Sequence, residues 1–398
     1  MPAPTNRIPL WPPSLAAAGT RRGQRPQRVD VALGATTSRR LPSLGLLAAG
    51  PMSPELAELV RSLFLGHIGV DVPTAASGHG GDALGWLSAA NGATPPLELR
   101  IEVPAEGLPD LDGIGLSDRS RRIRRVLLMG PGESLPSPSA VNAVRTMLQA
   151  QRPGLSITFG TRGPFAVVNR SWPTLAGFDA VCFGLHPQVH ADDDLTIMEN
   201  LESIPSIIET SRRVGGKRRV HVASITLTPP SVGRPADVGA APSHGVPREA
   251  TSFGAAWTLG SIAALAVAGA TSATYHGIGG PHGIVGLDAR ARPGDRNAAS
   301  MTGSPTGDLF AEIGRLRRGR LIGLEAAREH PLAGFGLDSG GTRHLLISNL
   351  SDQPCRVTMS GLGPATAMIW PGRTAVPSRG DLAVVELGGY AWARISGA

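Results

Sequence analysis

Short apolar runs alternate with longer helical patterns over most of this chain. Each run has the length of a strand, and most are followed by a stretch whose apolar residues recur at the period of a helix. The candidate strands are Val29–Leu33, His67–Val72, Leu97–Val103, Arg124–Met129, Leu155–Phe159, Phe178–Phe183, Arg219–Ile225 and Thr271–His276. Eight strands alternating with helices are typical of a (β/α)8 TIM barrel, an α/β fold. The pattern predicts this barrel over residues 28–331.

The helical patterns have recognisable starts. Ser53 is a suitable N-cap and Pro54 suits the first turn of a helix that runs to about Phe64. The other predicted helices are Ala83–Ala90, Ser137–Ala150, Leu195–Arg213, Phe253–Ala268 and Asp308–Arg318. Within the last but one, we expect Trp257 to belong to the core, because its neighbours are apolar at helical spacing.

The pattern changes after about Pro331. The later apolar runs are short, and Gly, Pro, Asp and Ser separate them. They are His344–Ser348, Cys355–Met359, Thr366–Trp370 and Leu382–Leu387. Such a pattern predicts a small antiparallel β domain over residues 332–398. At the other end, residues 1–27 are rich in Pro and Arg and are expected to form a disordered tail.

Charge and composition limit which classes of molecule this protein is expected to bind and where it is expected to work. The net charge is +7, but the basic residues are almost all arginines spread in pairs, with Lys217 the only lysine and few aromatic residues between them. A nucleic-acid surface would concentrate them with aromatics, so none is expected. No apolar stretch is long enough to span a bilayer. Cys182 and Cys355 are far apart, which argues against a disulfide framework and favours a reducing, cytoplasmic location.

One loop concentrates side chains able to do chemistry. The segment FGLHPQVHADDD, residues 183–194, leaves an apolar strand and precedes a helical pattern. In α/β barrels this strand-to-helix corner lies at the face that carries the active site. His186, Gln188 and His190 are therefore candidate site residues. The aspartates that follow, including Asp193, allow a second interpretation, because acidic residues also cap helix N-termini.

Other predicted strands end in polar residues that would share this face. Asp71, Glu102 and Glu133 are at or just after the ends of the second, third and fourth strands. Further candidates follow the fifth, seventh and eighth strands: Thr161, Asn169, Arg170, Ser224, Thr226, Tyr275 and His276. Because the carboxyl ends of barrel strands meet at one rim, the sequence predicts a mouth rich in imidazole and hydrogen-bonding groups.

Three mechanisms could use this mouth. A metal-assisted hydrolysis would need His186, His190, His276 and an aspartate as ligands, but H-x3-H in a loop lacks a fixed helical geometry, so no metal or other cofactor is predicted. Metal-free general acid/base catalysis would use a histidine and an oxyanion-stabilising group. Glycosidase chemistry would need two facing carboxyl groups, for which Asp71, Glu102 and Glu133 are the possible donors.

The chain resembles the D-apionate lactonase family, whose members are TIM-barrel carbohydrate lactonases with flanking β domains. The resemblance extends from about Val31 to the C-terminus and rests on ordered blocks. They are Gly160-Thr161 with Asn169-Arg170, HPQVHADD at 186–193 with Glu199 beyond, Ser224–Leu227, Phe253–Ser261 and Ser272–Tyr275. Several features depart from the family, and two of them bear on the fold and the site. Only a short segment precedes the predicted barrel where the family has an N-terminal β domain, and His276 follows Tyr275 where the family has a glutamate.

The resemblance implies a hydrolase that opens a carbohydrate-derived lactone, acting on a small-molecule sugar substrate. On this hypothesis His190 or His276 is the general base and Asp193 fixes a histidine tautomer. The substrate would be held by Asn169, Arg170, His186, Gln188, Tyr275 and Asp71. A glycoside hydrolase-like barrel and a catalytically inactive sugar-binding descendant are the alternatives.

Overall fold

A computed structural model describes most of the chain. The described residues are 27–48, 53–72, 85–86, 95–109, 111, 116, 122–171, 178–188, 192–216, 218–227, 248–279, 283–284, 304–326, 330–377 and 383–397. Three predicted features lie outside these ranges: the N-terminal tail apart from Gln27, the helix Ala83–Ala90 apart from its residues 85–86, and His190.

Eight parallel strands close into a barrel, which confirms the predicted fold class. They are β2 (Ser43–Leu47), β3 (His67–Val72), β4 (Leu97–Glu102), β5 (Ile123–Met129), β6 (Ser156–Pro164), β7 (Ala180–Leu185), β8 (Arg219–Ile225) and β9 (Ser272–Gly277). Each pairs with the next in chain order, and β9 returns to β2. The carboxyl ends of all eight strands therefore form one rim, the mouth, and their amino ends form the floor.

Helices cover the outside of the barrel. Within the described ranges they are α1 (Pro54–Ser62), α2 (Pro138–Gln151), α3 (Phe165–Arg170), α4 (Asp194–Glu199), α5 (Ile204–Val214), α6 (Ser252–Ala268) and α7 (Pro305–Leu316). Side-chain oxygens cap several of them: Ser53 and Ser137 each accept a hydrogen bond from a backbone N–H of the first turn, as expected for N-caps. Among these helices none is long and apolar enough to span a bilayer.

A second sheet of nine strands packs beside the barrel. Its strands are β1 (Gln27–Thr36), β10 (Arg320–Ala326), β11 (Leu332–Ser339), β12 (Thr342–Asn349), β13 (Cys355–Ser360), β14 (Ala365–Trp370), β15 (Thr374–Pro377), β16 (Ala383–Leu387) and β17 (Trp392–Gly397). Their order in the sheet is β15-β14-β17-β12-β11-β10-β1-β13-β16, and every pairing is antiparallel except β1 with β13. The sheet thus extends across the boundary predicted at residue 331.

The strand Val29–Leu33, predicted to open the barrel, belongs to this second sheet, so that prediction was wrong. Along β1 the buried residues Val29, Val31 and Leu33 alternate with more exposed ones. Such alternation is typical of a sheet with one solvated face, whereas barrel strands are covered on both faces. The barrel instead opens with β2, whose central residues Leu44 and Leu46 are buried.

Helix α6 joins the two units. Its residues are buried on almost every side, and Trp257 in its middle is fully buried, as predicted. The helix contacts α5 and α7 of the barrel and also β11, β12 and β17 of the second sheet. A helix that is apolar all round must be enclosed by other elements. The barrel and the sheet therefore share one core through α6.

Candidate active site at the barrel mouth

The inside of the barrel is lined with polar residues. Hydrogen bonds and ion pairs cross it between strands that are not neighbours, for example between β4 and β9 and between β3 and β6. Glycines make room for the larger side chains: a Cβ on Gly45 would lie 2.4 Å from the His67 ring, and one on Gly69 would contact Thr274 and Arg100. The interior contains two separate clusters of polar side chains, one at the floor and one at the mouth.

The floor is a closed network around Glu98. Its carboxylate accepts hydrogen bonds from Arg125 Nε at 2.5 Å and from Thr274 Oγ1 at 2.8 Å. His67 Nε2 lies 2.8 Å from Thr274 Oγ1, and since the hydroxyl donates to Glu98, the imidazole donates to the hydroxyl. The Arg125 guanidinium also reaches Nδ1 of His221 at 3.4 Å. All these residues are buried.

Charges at the floor are fixed by burial and by their partners. Burial lowers the pKa of His67 to about 4 and that of His221 to about 3, so both imidazoles are neutral near pH 7. Burial alone would raise the pKa of Glu98, but His67 and Arg125 reverse this effect and lower it to about 2. The floor is therefore an ionised Glu98–Arg125 pair supported by neutral donors and acceptors.

The mouth is arranged around Asp71, at the end of β3. Arg162 of β6 donates from Nη1 to Asp71 Oδ1 at 2.5 Å across the barrel. Arg100 of β4 approaches the same oxygen with Nε at 3.5 Å, which is too long for a good hydrogen bond. The side chain of Asp71 is 44% exposed and that of Arg162 is 23% exposed, whereas that of Arg100 is only 3% exposed. Two guanidinium groups thus converge on one accessible carboxylate.

The two arginines differ in environment. Burial lowers the pKa of Arg100 even though Asp71 favours its charged form. Burial would also lower the pKa of Arg162, but Asp71 outweighs it and raises the pKa. Among the described residues, Nε and Nη1 of Arg100 have no hydrogen-bond acceptor. A buried guanidinium with two free donors can bind an oxygen atom that carries negative charge.

Glu133 and His186 lie on the same side of the mouth as Arg162. Thr161 Oγ1 donates to the backbone oxygen of Glu133 at 2.5 Å, which ties the loop after β5 to β6. His186 follows the last residue of β7, and its half-buried ring has a pKa lowered by burial and raised in part by Glu133. A neutral imidazole beside a carboxylate can accept a proton from water.

Asp193, predicted to orient a catalytic histidine, is the exposed N-cap of α4. Its Oδ1 accepts a hydrogen bond from Thr196 N at 2.9 Å, and this backbone contact lowers the pKa of the carboxyl group. The capping interpretation therefore accounts for this side chain. The adjacent Asp194 pairs with Arg248. His190 lies outside the described residues.

Tyr275 and His276 are both fully buried, facing the helices. The Tyr275 hydroxyl lies 2.8 Å from Ser261 Oγ of α6, and the Tyr275 ring packs edge-on against Phe310 of α7. His276 Nε2 lies 3.1 Å from Thr258 Oγ1 of α6, and burial lowers the pKa of His276 to about 4. We infer a packing role for Tyr275 in place of the predicted substrate contact, and a position for His276 behind the rim.

Asn169 and Arg170 are the last residues of α3, and both are exposed. His186 and Gln188, in contrast, lie partly exposed in the loop after β7, where Asn200 Nδ2 donates to Pro187 O at 2.8 Å and anchors the loop. The structure thus places Asp71, His186 and Gln188 at or just after strand ends that face the mouth, and it places His276 against α6.

Arg100 and Arg162 were not predicted from the sequence, although a pattern pointed to Arg100. Strand β4 reads Leu-Glu-Leu-Arg-Ile-Glu, a strict alternation in a strand that a barrel covers on both faces. Polar residues at every second position of such a strand must line the interior. Arg162 lies within a register shift between β6 and β7, so a period-2 analysis of the sequence does not predict the direction of its side chain.

No described cluster of three or more His, Cys, Asp or Glu side chains could hold a metal ion. Both cysteines are buried and unpaired.

Several solved structures with the same architecture carry the names of glycoside-cleaving enzymes. A GH30 endoxylanase from Clostridium papyrosolvens C71 has a TM-score of 0.61 at 9% identity, covering 93% of this chain and 100% of that one. A GH51 arabinofuranosidase from Xanthomonas axonopodis pv. citri has a TM-score of 0.59 at 11% identity, covering 93% and 99%. A 4-O-alpha-L-rhamnosyl-beta-D-glucuronidase from Fusarium oxysporum 12S has a TM-score of 0.58 at 10% identity, covering 93% and 100%. At these identities the likeness establishes the fold alone.

Sequence comparison is more specific. No curated protein matches the chain. Two family models do: the TIM barrel domain of D-apionate lactonase matches residues 125–317, and its C-terminal immunoglobulin-like domain matches residues 329–395. Together the two matches cover well over half of the chain, in the order that the resemblance of the sequence blocks predicted. The chain therefore belongs to the D-apionate lactonase family.

Proposed function

We propose that this protein hydrolyses the ester bond of a carbohydrate-derived lactone at the barrel mouth. The observation that carries the proposal is the buried Arg100 guanidinium beside Asp71, whose Nε and Nη1 have no hydrogen-bond acceptor among the described residues. Lactone hydrolysis places negative charge on the former carbonyl oxygen in its transition state. Donors already in place and shielded from water stabilise such a charge most strongly.

In the proposed mechanism His186 is the general base. Its neutral imidazole removes a proton from water while the water oxygen bonds to the lactone carbonyl carbon. Arg100 and Arg162 stabilise the oxyanion. When the intermediate collapses, the bond to the ring oxygen breaks, and the protonated imidazole returns the proton to that leaving oxygen. The product is an open-chain hydroxy acid.

The remaining polar residues of the mouth would hold the sugar. Asp71 can accept hydrogen bonds from hydroxyl groups through its exposed carboxylate, and Gln188 can both donate and accept. The predicted roles of His190 in catalysis and of Asn169 and Arg170 in binding stay predictions, as does the cytoplasmic location. His186 replaces His276 as the proposed base because the ring of His276 is enclosed by α6.

The test is turnover of a panel of aldonolactones by the purified chain, followed as acid release. We expect at least one lactone to be opened, and His186→Asn to lower kcat/KM by about 10²–10⁴-fold, the contribution of a general base. His344→Asn is the matched control, since His344 is half-buried on the second sheet and bonds Ser396. Full activity of the His186 variant would contradict the mechanism.

The same panel separates the alternatives. Cleavage of aryl glycosides without lactone opening would identify a glycoside hydrolase, with Glu102 and Glu133 as the carboxyl groups to substitute. Thermal stabilisation by sugars without turnover of either class would identify a binding protein. Either result would overturn the proposed function.

A further inference from the structure

A cavity of about 330 Å³ opens at the floor side of the barrel, opposite the mouth. Its walls are the amino ends of barrel strands, the turn after α1 and the end of α7. Four arginines line it, namely Arg40, Arg124, Arg317 and Arg318, and none of its other lining residues carries a carboxylate. Its volume is at the lower end of the range for small-ligand pockets.

The arginines come from three separate parts of the chain and are all exposed. Arg40 donates to the backbone oxygen of Arg318 at 2.9 Å, and Arg317 donates to Gly314 O at 3.2 Å. These contacts satisfy carbonyl groups at the end of α7, a common use of basic residues. Arg124, however, comes from β5 and bonds Gly66 O. Helix capping therefore does not explain why its charge faces the same cavity.

An exposed aromatic ring stands at the edge of this cavity. Phe64 is 45% exposed and has a φ of 49°, a left-handed conformation that is unusual for a bulky residue. Helix α7 holds this turn in place, since a Cβ on Gly314 would lie 2.0 Å from Leu63 O. Arg317 Cζ lies 5.7 Å from the centre of the Phe64 ring. A strained turn that presents an aromatic ring to water invites a functional explanation.

We propose that this floor cavity binds a nucleoside monophosphate, with its phosphate between the arginines and its base against Phe64. Arginine matches phosphate oxygens with paired N–H donors, and each of these four arginines retains donors beyond those used on backbone carbonyls. Base–aromatic stacking accounts for the exposed ring. The site is separate from the proposed lactone site, and binding there needs no residue of the mouth.

The experiment is calorimetric titration of the full chain with AMP, adenosine, ribose 5-phosphate and inorganic phosphate. We expect AMP to bind most tightly, and its affinity to fall as salt is raised. The double variant Arg40→Gln/Arg317→Gln should weaken the binding of AMP by at least about tenfold. Phe64→Ala should weaken the binding of AMP by about fivefold or more and leave the affinity for ribose 5-phosphate unchanged.

The matched control is Arg212→Gln/Arg213→Gln, which removes two exposed arginines from a different surface cavity. It should leave AMP binding unchanged, and lactone turnover should be unchanged in all these variants. The proposal is overturned if AMP does not bind the parent chain, if ribose 5-phosphate binds as tightly as AMP, or if the control weakens binding as much as the floor variants do.

Discussion

The two ends of the barrel interior use the same residue types for opposite purposes. At the floor, Glu98 and Arg125 are buried, and neutral groups complete their hydrogen bonds. At the mouth, Asp71 is partly exposed and shared by Arg162 and Arg100, and Arg100 keeps free donors within the described structure. A carboxylate–arginine pair is therefore not itself evidence of a site. Access to solvent distinguishes the end that can do chemistry, because the Asp71 side chain is 44% exposed and that of Glu98 is buried.

The largest effect on stability should come from a substitution that removes the Glu98–Arg125 ion pair at the floor. Glu98→Gln leaves the buried Arg125 guanidinium without a counter-charge, and breaking such a pair costs about 3–5 kcal/mol. We expect this loss in the free energy of unfolding, measured by urea denaturation. Glu386→Gln, at an exposed position on β16, should change the free energy by no more than about 0.5 kcal/mol. A Glu98 variant as stable as the parent would mean that the floor is not a structural element.

The second largest effect should come from a substitution at the mouth, and it should lower activity more than stability. Arg162→Gln removes the donor to Asp71 and one oxyanion-stabilising charge, so kcat on a lactone should fall by about 10²–10³-fold. Stability should change far less than in the Glu98 variant, because Asp71 and Arg162 are partly hydrated. Arg356→Gln, on an exposed position of β13, is the control. Equal losses of stability at both ends would erase the distinction between mouth and floor.

Much of the fold was predictable because apolar periodicity marks barrel strands directly. Seven of the predicted strands match β3 to β9, and the exception, Val29–Leu33, was predicted in the wrong sheet. For the site, Asp71 and His186 were predicted from strand ends. The crossing contacts of Arg162 and the burial of Tyr275 depend on twist and register shifts, which sequence spacing does not encode.

A smaller effect should follow from pH. The folded-state pKa values of His67 and His221, about 4 and 3, lie below the unfolded value of 6.5, so the unfolded chain binds more protons in this range. Stability should therefore fall as pH drops from about 6.5 towards 4, by on the order of 1–2 kcal/mol per histidine between pH 7 and 5. Denaturation of the parent and of His67→Gln across this range measures it, and the variant should show the flatter profile. An equally steep profile would place the pH sensitivity elsewhere.

The smallest effect concerns Asp193, which lies in the loop after β7 but whose side chain caps a helix. Its carboxylate caps α4 through Thr196 N. Asp193→Ala should lower the melting temperature slightly and leave kcat/KM unchanged, whereas Asp192→Ala, at the exposed neighbouring position, should change neither. A loss of kcat/KM in Asp193→Ala comparable to that of His186→Asn would return Asp193 to catalysis. Unchanged turnover by the Asp193 variant would show that Asp193 has no catalytic role. A residue's location near the rim is then not enough to assign it one.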